Sequence, residues 1–249
     1  MTLSPDNLVL WEWKWVVLNG TLVYSWIVMA LLVLFSCLVT RNLTSGLDLS
    51  GPQNLLESIV EMTRNQIRDI IRDDPEPYTP FIGALFLFIS VSNLLSVVPG
   101  FRSPAESLST TTALAVCVFF AVPVYSIYNR GPIGFLKRYL EPSPWMLPFH
   151  LIGEVSRTLA LSIRLFGNVM SGALMVGILL SIAPLLFPVM LQMLGLIIGQ
   201  IQAYIFAVLA TVYIASALRV QRETDGEDAN ESDPPPGVGA SSEPKETIV

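Results

Sequence analysis

Residues 149–180, FHLIGEVSRTLALSIRLFGNVMSGALMVGILL, restrict what this chain can become more than any other stretch. The run is long and mostly apolar, yet it carries His150, Glu154, Arg157, Arg164, Asn168 and Ser171, separated by steps of 4, 3, 7, 4 and 3. Residues three or four apart are neighbours on a helix, so these steps keep all six on one stripe, with Leu161 filling the gap in the longest step. The other faces are mostly Leu, Ile, Val, Ala, Met and Gly. A soluble amphipathic helix carries a broad polar face rich in Lys and Glu. A narrow polar seam on an oily cylinder belongs instead to a membrane helix with one edge turned to water or to a polar partner.

Arg164 dominates that seam. An arginine at the bilayer centre costs about 2.5–3.5 kcal/mol even on the lenient insertion scale. Its pKa lies above about 12, so it cannot escape that cost by losing its proton. A permanent charge in oil is a functional candidate by default. The plainer reading is a structural ion pair. It suits Arg157, which has Glu154 at the i, i+3 position, better than Arg164, which has no acid three or four residues away.

Composition agrees with a membrane-embedded chain: 52% of residues are hydrophobic, 14% are charged, and the mean hydropathy is +0.59. The net charge of −6 belongs to the C-terminal end and not to the body. Residues 219–249 hold eight of the 20 acids and three of the 14 bases, which leaves a body of −1. Cys37 and Cys117 both lie in apolar runs with no CxxC or Cys/His cluster, so neither a metal site nor a disulfide framework is expected. No cofactor is expected either. Trp11, Trp13 and Trp15 read as an interfacial anchor over residues 1–20, not as a cleavable leader.

The fold predicted is an all-α membrane domain over 21–220: about five spans, plus one amphipathic helix outside the bilayer. Residues 21–40 reach about 30 Å as a helix, one hydrocarbon thickness. Residues 52–74 alternate Leu55, Leu56, Ile59, Ile67, Ile70 and Ile71 with Glu57, Glu61, Arg64, Arg68 and Asp69, the pattern of an interfacial helix. Residues 79–98 form a second span with Asn93 as its one amide. A short polar loop follows through Ser103, Pro104 and Glu106. Residues 108–128 form a third span, opened by hydroxyls at Ser109 to Thr112 and carrying Pro123, and 129–144 reads as a loop. The segments 149–180 and 189–218 are each too long to stand upright, so they are expected as a tilted hairpin turned by Pro184 and Pro188. On the last one, Gln192, Gly195, Gly199, Gln202, Phe206, Leu209 and Tyr213 share a second stripe, suited to close helix packing. The acidic, Pro-rich tail over 221–249 is expected to be disordered.

Basic residues set the orientation. Arg41, Arg64, Arg68, Arg72, Arg130, Lys137, Arg138, Arg219 and Arg222 fall on one side, and Lys14 and Arg102 on the other. The positive-inside rule then places the N-terminus outside and the C-terminus in the cytoplasm.

Two long helices with polar seams suit a conduction surface. A fixed cation there attracts a carboxylate on a moving partner, keeps it ionised, and blocks an ion from crossing directly. Glu154 and His150 can relay protons, or they can be a salt-bridge partner of Arg157 and an interfacial residue. Asn168, Ser171 and Gln202 can line a water path or join helices, and for Ser171 the second is preferred. No phosphate-binding loop of the G-x-x-x-x-G-K-[ST] type occurs, so nucleotide chemistry is not expected here. A stand-alone secondary transporter is the competing class, against which stand the odd span count and the absence of an internal repeat. A membrane protease lacks any Ser/His or HExxH constellation.

The run S-I-R-L-F-G-N at 162–168, S-G at 171–172, Q-A-Y-I-F at 202–206, V-Y at 212–213 and N-L-L-x-x-x-P at 93–99 together resemble subunit a of the membrane sector of F-type ATP synthases. The resemblance covers about residues 20–220. It implies that Arg164 is the stator arginine facing the ion-carrying carboxylate of a c-subunit ring, and that Asn168 and Gln202 are the polar residues beside it. Tyr213 matches a tyrosine of the last helix, Glu154 an acid ten residues before the arginine, and His150 a position often held by glutamate. Two offset half-channels would meet the ring on either side of Arg164. The other implied partners are b-type peripheral stalk subunits and the lipid of a bacterial-type inner membrane, with no nucleic acid. Some members pair an acid five residues after the Asn with a histidine seven before the Gln. Those positions here are Ala173 and Gly195. The usual loop aspartate corresponds to Ser107, with Glu106 beside it. Ion transfer must then use water with Glu154, His150 or Glu106, and the pattern fits H+ or Na+.

Overall fold

The computed structural model describes residues 9–13, 16–41, 51–71, 74–98, 100–140, 147–182 and 187–232. Two short strands, β1 (Val9–Trp13) and β2 (Val16–Asn19), pair antiparallel and lead into the first helix, with Trp13 opposite Val16 and Val9 opposite Asn19. Six helices follow: α1 (Gly20–Arg41), α2 (Gly51–Ile71), α3 (Thr79–Leu95), α4 (Leu108–Leu140), α5 (Leu147–Ile182) and α6 (Phe187–Ser232). A single 3-10 turn, Pro104–Glu106, separates α3 from α4. Among the described residues, four helices contain segments long and apolar enough to cross a bilayer: Gly20–Arg41, Leu108–Tyr128, Ile152–Ser181 and Val189–Leu218. Thr79–Leu95 is a shorter apolar helix. The chain is an all-α, multi-pass membrane protein with one amphipathic helix, α2, and two long helices in succession, α5 and α6.

Two expected boundaries move. Gly131 and Pro132 predict a loop from Asn129, yet α4 continues to Leu140. The tail is predicted to be disordered beyond Arg222, yet α6 continues to Ser232, while 233–249 lie outside the described residues. The reason is common to both. Extending an existing helix avoids the nucleation cost, so residues of modest propensity follow it. A proline inside the run costs about 3 kcal/mol but removes only one backbone hydrogen bond. The predicted turn between the two long helices, 183–186, lies outside the described residues.

α6 is the hub, packing on α2, α3, α4 and α5. Small side chains make that possible. Ala203, Ala207, Ala210, Ala215 and Ala217 are all buried, and Phe206 and Ile214 fill the space between neighbouring helices. One core cluster joins Ile67 and Ile71 of α2, Ile82 of α3, Val122 of α4 and Ile214 of α6. The other joins Leu85 and Ile89 of α3, Ala115 and Val118 of α4, Leu161 and Leu165 of α5, and Ala203, Phe206 and Ala210 of α6. The amphipathic helix α2 therefore docks its Ile67 and Ile71 edge on the bundle, and its Arg64 pairs with Glu76 beyond its end.

The segment after α3 does not lie over the bundle. The 3-10 turn packs against α1, α3, α4 and α5, and Ser103, Pro104, Ala105 and Ser107 are buried. Gly100, at φ 91°, makes the bend, a left-handed conformation that a side chain would strain. Tyr24 of α1 holds the bend from outside: its hydroxyl donates to the Gly100 carbonyl at 3.4 Å, and its ring meets Phe101 edge-on at 5.0 Å.

Candidate functional site

α5 is sealed on one side and open on the other. Leu161, Ser162 and Leu165 are buried against α4 and α6, whereas Ile163, Arg164, Gly167, Asn168 and Ser171 are exposed. Arg164 points away from the packed face. Among the described residues it has no ion pair and no hydrogen bond. The seam read from the sequence thus places the guanidinium outside the chain's own core.

Asn168 lies one turn from Arg164 on the same side of α5, and its Nδ2 donates to Gln202 Oε1 of α6. Gln202 is buried, and its Nε2 has no acceptor among the described residues. A buried amide proton without an acceptor costs about 1–3 kcal/mol. Such a donor marks a place where solvent or a passing ligand is normally the partner. Asn168 and Gln202 are therefore brought together, their amides bridging α5 to α6, with Arg164 one helical turn before Asn168 on α5.

A second polar nook lies two turns earlier on α5, where α4, α5 and α6 meet. Glu154, Arg157 and Thr158 line it with Tyr213, against Val118 and Val122. It holds about 10 Å³, room for roughly one water. The Arg157 guanidinium lies over the Tyr213 ring at 5.8 Å, a cation–π contact. Arg157 thus lies beside Glu154 in this nook and reaches across to Tyr213 of α6. His150 sits in the first turns of α5, and its side chain is outside the described residues.

Ser171 differs from the expectation. Its hydroxyl donates to the Asn168 carbonyl of its own helix at 3.1 Å, and among the described residues it bonds to no second helix. On an exposed face, back-bonding of this kind is the nearest way to satisfy a hydroxyl in oil. Glu106 ends the buried 3-10 turn. Burial pushes its carboxyl above the ordinary value of 4.5, while a backbone hydrogen bond at Ser103 and the charge of Arg102 pull the other way. Ala173 and Gly195 carry no ionisable group.

Other polar contacts involve side chains that lie off the 3/4 stripes. Ser162 meets Thr112 of α4 at 3.0 Å and Thr111 at 3.5 Å. Ser90 and Asn93 of α3 bond to Gln200 and Gly199 of α6. The signal available in the sequence was a lone hydroxyl or amide in an apolar run, which a stripe search discards.

With this geometry in view, the likeness to known proteins is decisive. The family model described as ATP synthase A chain matches residues 22–215. The chain belongs to the ATP synthase A chain family. It is 56% identical over 230 residues to ATP synthase subunit a 2 of Acaryochloris marina, covering 91% of this chain and 98% of that one. It is 53% identical over 226 residues to ATP synthase subunit a 1 of Crocosphaera subtropica. It is 48% identical over 242 residues to ATP synthase subunit a of Nitrosospira multiformis, covering 97% and 95%. Membership makes the chain a non-catalytic, ion-channel membrane subunit within a hetero-oligomeric ATP synthase.

Proposed function

We propose that this subunit is the stator channel of the rotary motor. It passes H+, or alternatively Na+, to and from the carboxylate of a c-subunit ring through two offset half-channels, and Arg164 prevents a direct leak between them. One observation carries the reading: Arg164 stands exposed on a membrane helix with no counter-charge among the described residues. Lipid is a poor environment for it. A carboxylate of a passing subunit is a good one.

The electrostatics are sufficient. A guanidinium and a carboxylate about 4 Å apart attract by about 4 kcal/mol at an effective dielectric of about 20. A neighbouring arginine lowers a carboxylate's pKa by about 1–3. A rotor carboxylate reaching Arg164 therefore gives up its ion to one half-channel, and regains one only after it has moved past. The same fixed charge repels a cation that would jump between the half-channels. Asn168 and Gln202 hold polar groups beside the transfer point. Glu154, with His150, serves the access route at the α4–α5–α6 nook. Glu106 serves the route at the other end of α4, since Ala173 and Gly195 supply no relay there. Ser171 and Tyr213 border the path and take no charge. The N-terminus faces outside and the C-terminus the cytoplasm of a bacterial-type inner membrane, with b-type stalk subunits holding the stator.

The test is ATP-driven ion uptake by liposomes that hold the whole complex. Arg164→Ala is expected to abolish uptake while the subunit remains in the purified complex. Retained coupled uptake refutes the role of Arg164. Acidification of the lumen against sodium uptake decides which ion moves.

A further inference from the structure

The contact between α3 and α6 is unlike the others in the bundle. Ser90 Oγ donates to Gln200 Oε1 at 2.5 Å, and Gln200 Nε2 donates back to the Ser90 carbonyl at 3.0 Å. This closed pair fixes both the rotation and the height of one helix against the other. Asn93 Nδ2 donates to the Gly199 carbonyl at 2.8 Å. That approach needs glycine, since a Cβ at Gly199 would lie 3.0 Å from Asn93 Cγ and Nδ2. Two turns earlier on α6, Gln192 Nε2 donates to the Ser96 carbonyl at 3.2 Å. These side-chain bonds, with a longer one from Gln192 Nε2 to the Val97 carbonyl at 3.5 Å, run along one seam of two apolar helices.

In lipid, apolar packing is weakly directional, because tails are as oily as leucine. Polar bonds across a seam then choose the register, since no water is present to replace them. The seam ends beside the functional site. Gln202 is two residues after Gln200 and lies about 200° round the helix, so it faces α5 when Gln200 faces α3. Its Oε1 receives Asn168 Nδ2, one turn from Arg164.

We propose that Ser90 and Gln200 are positioning residues for ion transfer. Their pair, with Asn93–Gly199 and Gln192, clamps α6 to α3 at the rotation that holds Gln202 against Asn168, and so fixes the polar face around Arg164 while the rotor drags past it. The proposal deepens the stator reading and rests on it.

The test uses the whole reconstituted complex. Ser90→Ala and Gln200→Leu are expected to leave the amount of this subunit in the complex unchanged and to lower ions pumped per ATP hydrolysed by about tenfold. Ser90→Thr, which keeps the hydroxyl, retains pumping. With Cys37 and Cys117 changed to Ser, Asn168→Cys and Gln202→Cys together are bridged by a short dithiol-reactive reagent. Adding Gln200→Leu slows that bridging by about tenfold if the clamp sets their meeting. Lower pumping with unchanged bridging overturns the proposal and marks the seam as a conduction path. Unchanged pumping in Gln200→Leu overturns it outright, as does loss of the subunit from the complex in both single variants. Arg164→Ala run alongside separates the two ideas. Uptake retained there refutes the stator reading, whereas uptake lost there and kept in Gln200→Leu refutes only the clamp.

Discussion

At the residue scale, the site consists of a few polar groups whose surroundings differ. Arg164 is exposed, Gln202 is buried with no acceptor for its Nε2 among the described residues, and Glu106 is a partly buried carboxyl at the end of a tucked turn. Glu106 has a thermodynamic consequence. Its folded-state pKa lies above its ordinary value of 4.5 because burial disfavours the charge. The stability associated with it is fully present below the unfolded-state pKa and is lost as pH rises through the raised one. Glu106→Gln, which cannot ionise, should therefore gain thermal stability over wild type as pH rises from 4.5 toward neutrality, with the difference vanishing in acid. Melting of the purified complex across that range checks the sign, and a difference independent of pH contradicts it. A second residue-scale expectation concerns the relay. Glu154→Gln should slow ion translocation more than substitutions at Ala173 or Gly195, because only Glu154 carries a proton-binding group. Equal, near-normal rates in passive flux through complexes stripped of their catalytic part count against it. The Arg164, Asn168 and Glu154 positions were legible in the sequence because a polar residue in oil is costly and their 3/4 spacing is strict. The contact of Arg157 with Tyr213 was not, since spacing along one helix cannot say which side chain of another helix lies opposite.

At the element scale, α6 shows what a periodic stripe does and does not disclose. The stripe through Gln192, Gly199, Gln202 and Phe206 marked the buried edge of α6. It did not show that this edge is divided between two neighbours, with Gln192 and Gly199 facing α3 and Gln202 facing α5. Gln200 and Ser90 fell off the stripes and went unread. The tucked Pro104–Glu106 turn was read only as a short polar loop, because Ser, Pro and Glu are loop residues by composition and their burial depends on four helices meeting around them. Gly199 gives the sharpest element-scale prediction. A methyl there meets Asn93 at 3.0 Å, so Gly199→Ala should destabilise the α3–α6 seam by about 1–3 kcal/mol. Adding Asn93→Ala should restore part of that loss by opening space. Thermal unfolding of the complex measures both, and a neutral Gly199→Ala would show that the helices can part at no cost.

At the scale of the whole molecule, the helices are covered unequally. Only 6% of the α5 span is buried within the chain, against 33% of the spans in α4 and α6, although α5 carries the permanent charge. A polytopic subunit that leaves its charged helix uncovered is built to be completed by another subunit. The fold class and the two long successive helices followed from hydropathy and length, because a bilayer admits few solutions for the backbone. The extensions of α4 and α6 did not, since helix propagation into polar sequence depends on an existing helix more than on local composition. The most direct measurement places a reporter beside Arg164. Gly167 is exposed and a Cβ there meets nothing within 4 Å, so Gly167→Cys, with Cys37 and Cys117 changed to Ser, should leave the fold intact. In the assembled complex treated with a mild thiol oxidant, which takes up the two electrons, its thiol should form disulfides with cysteines placed next to the ion-carrying carboxylate of the c subunit, and those disulfides should arrest ring rotation until they are reduced. Failure to cross-link to any c-subunit position at that depth, with the complex intact, would contradict a rotor-facing Arg164.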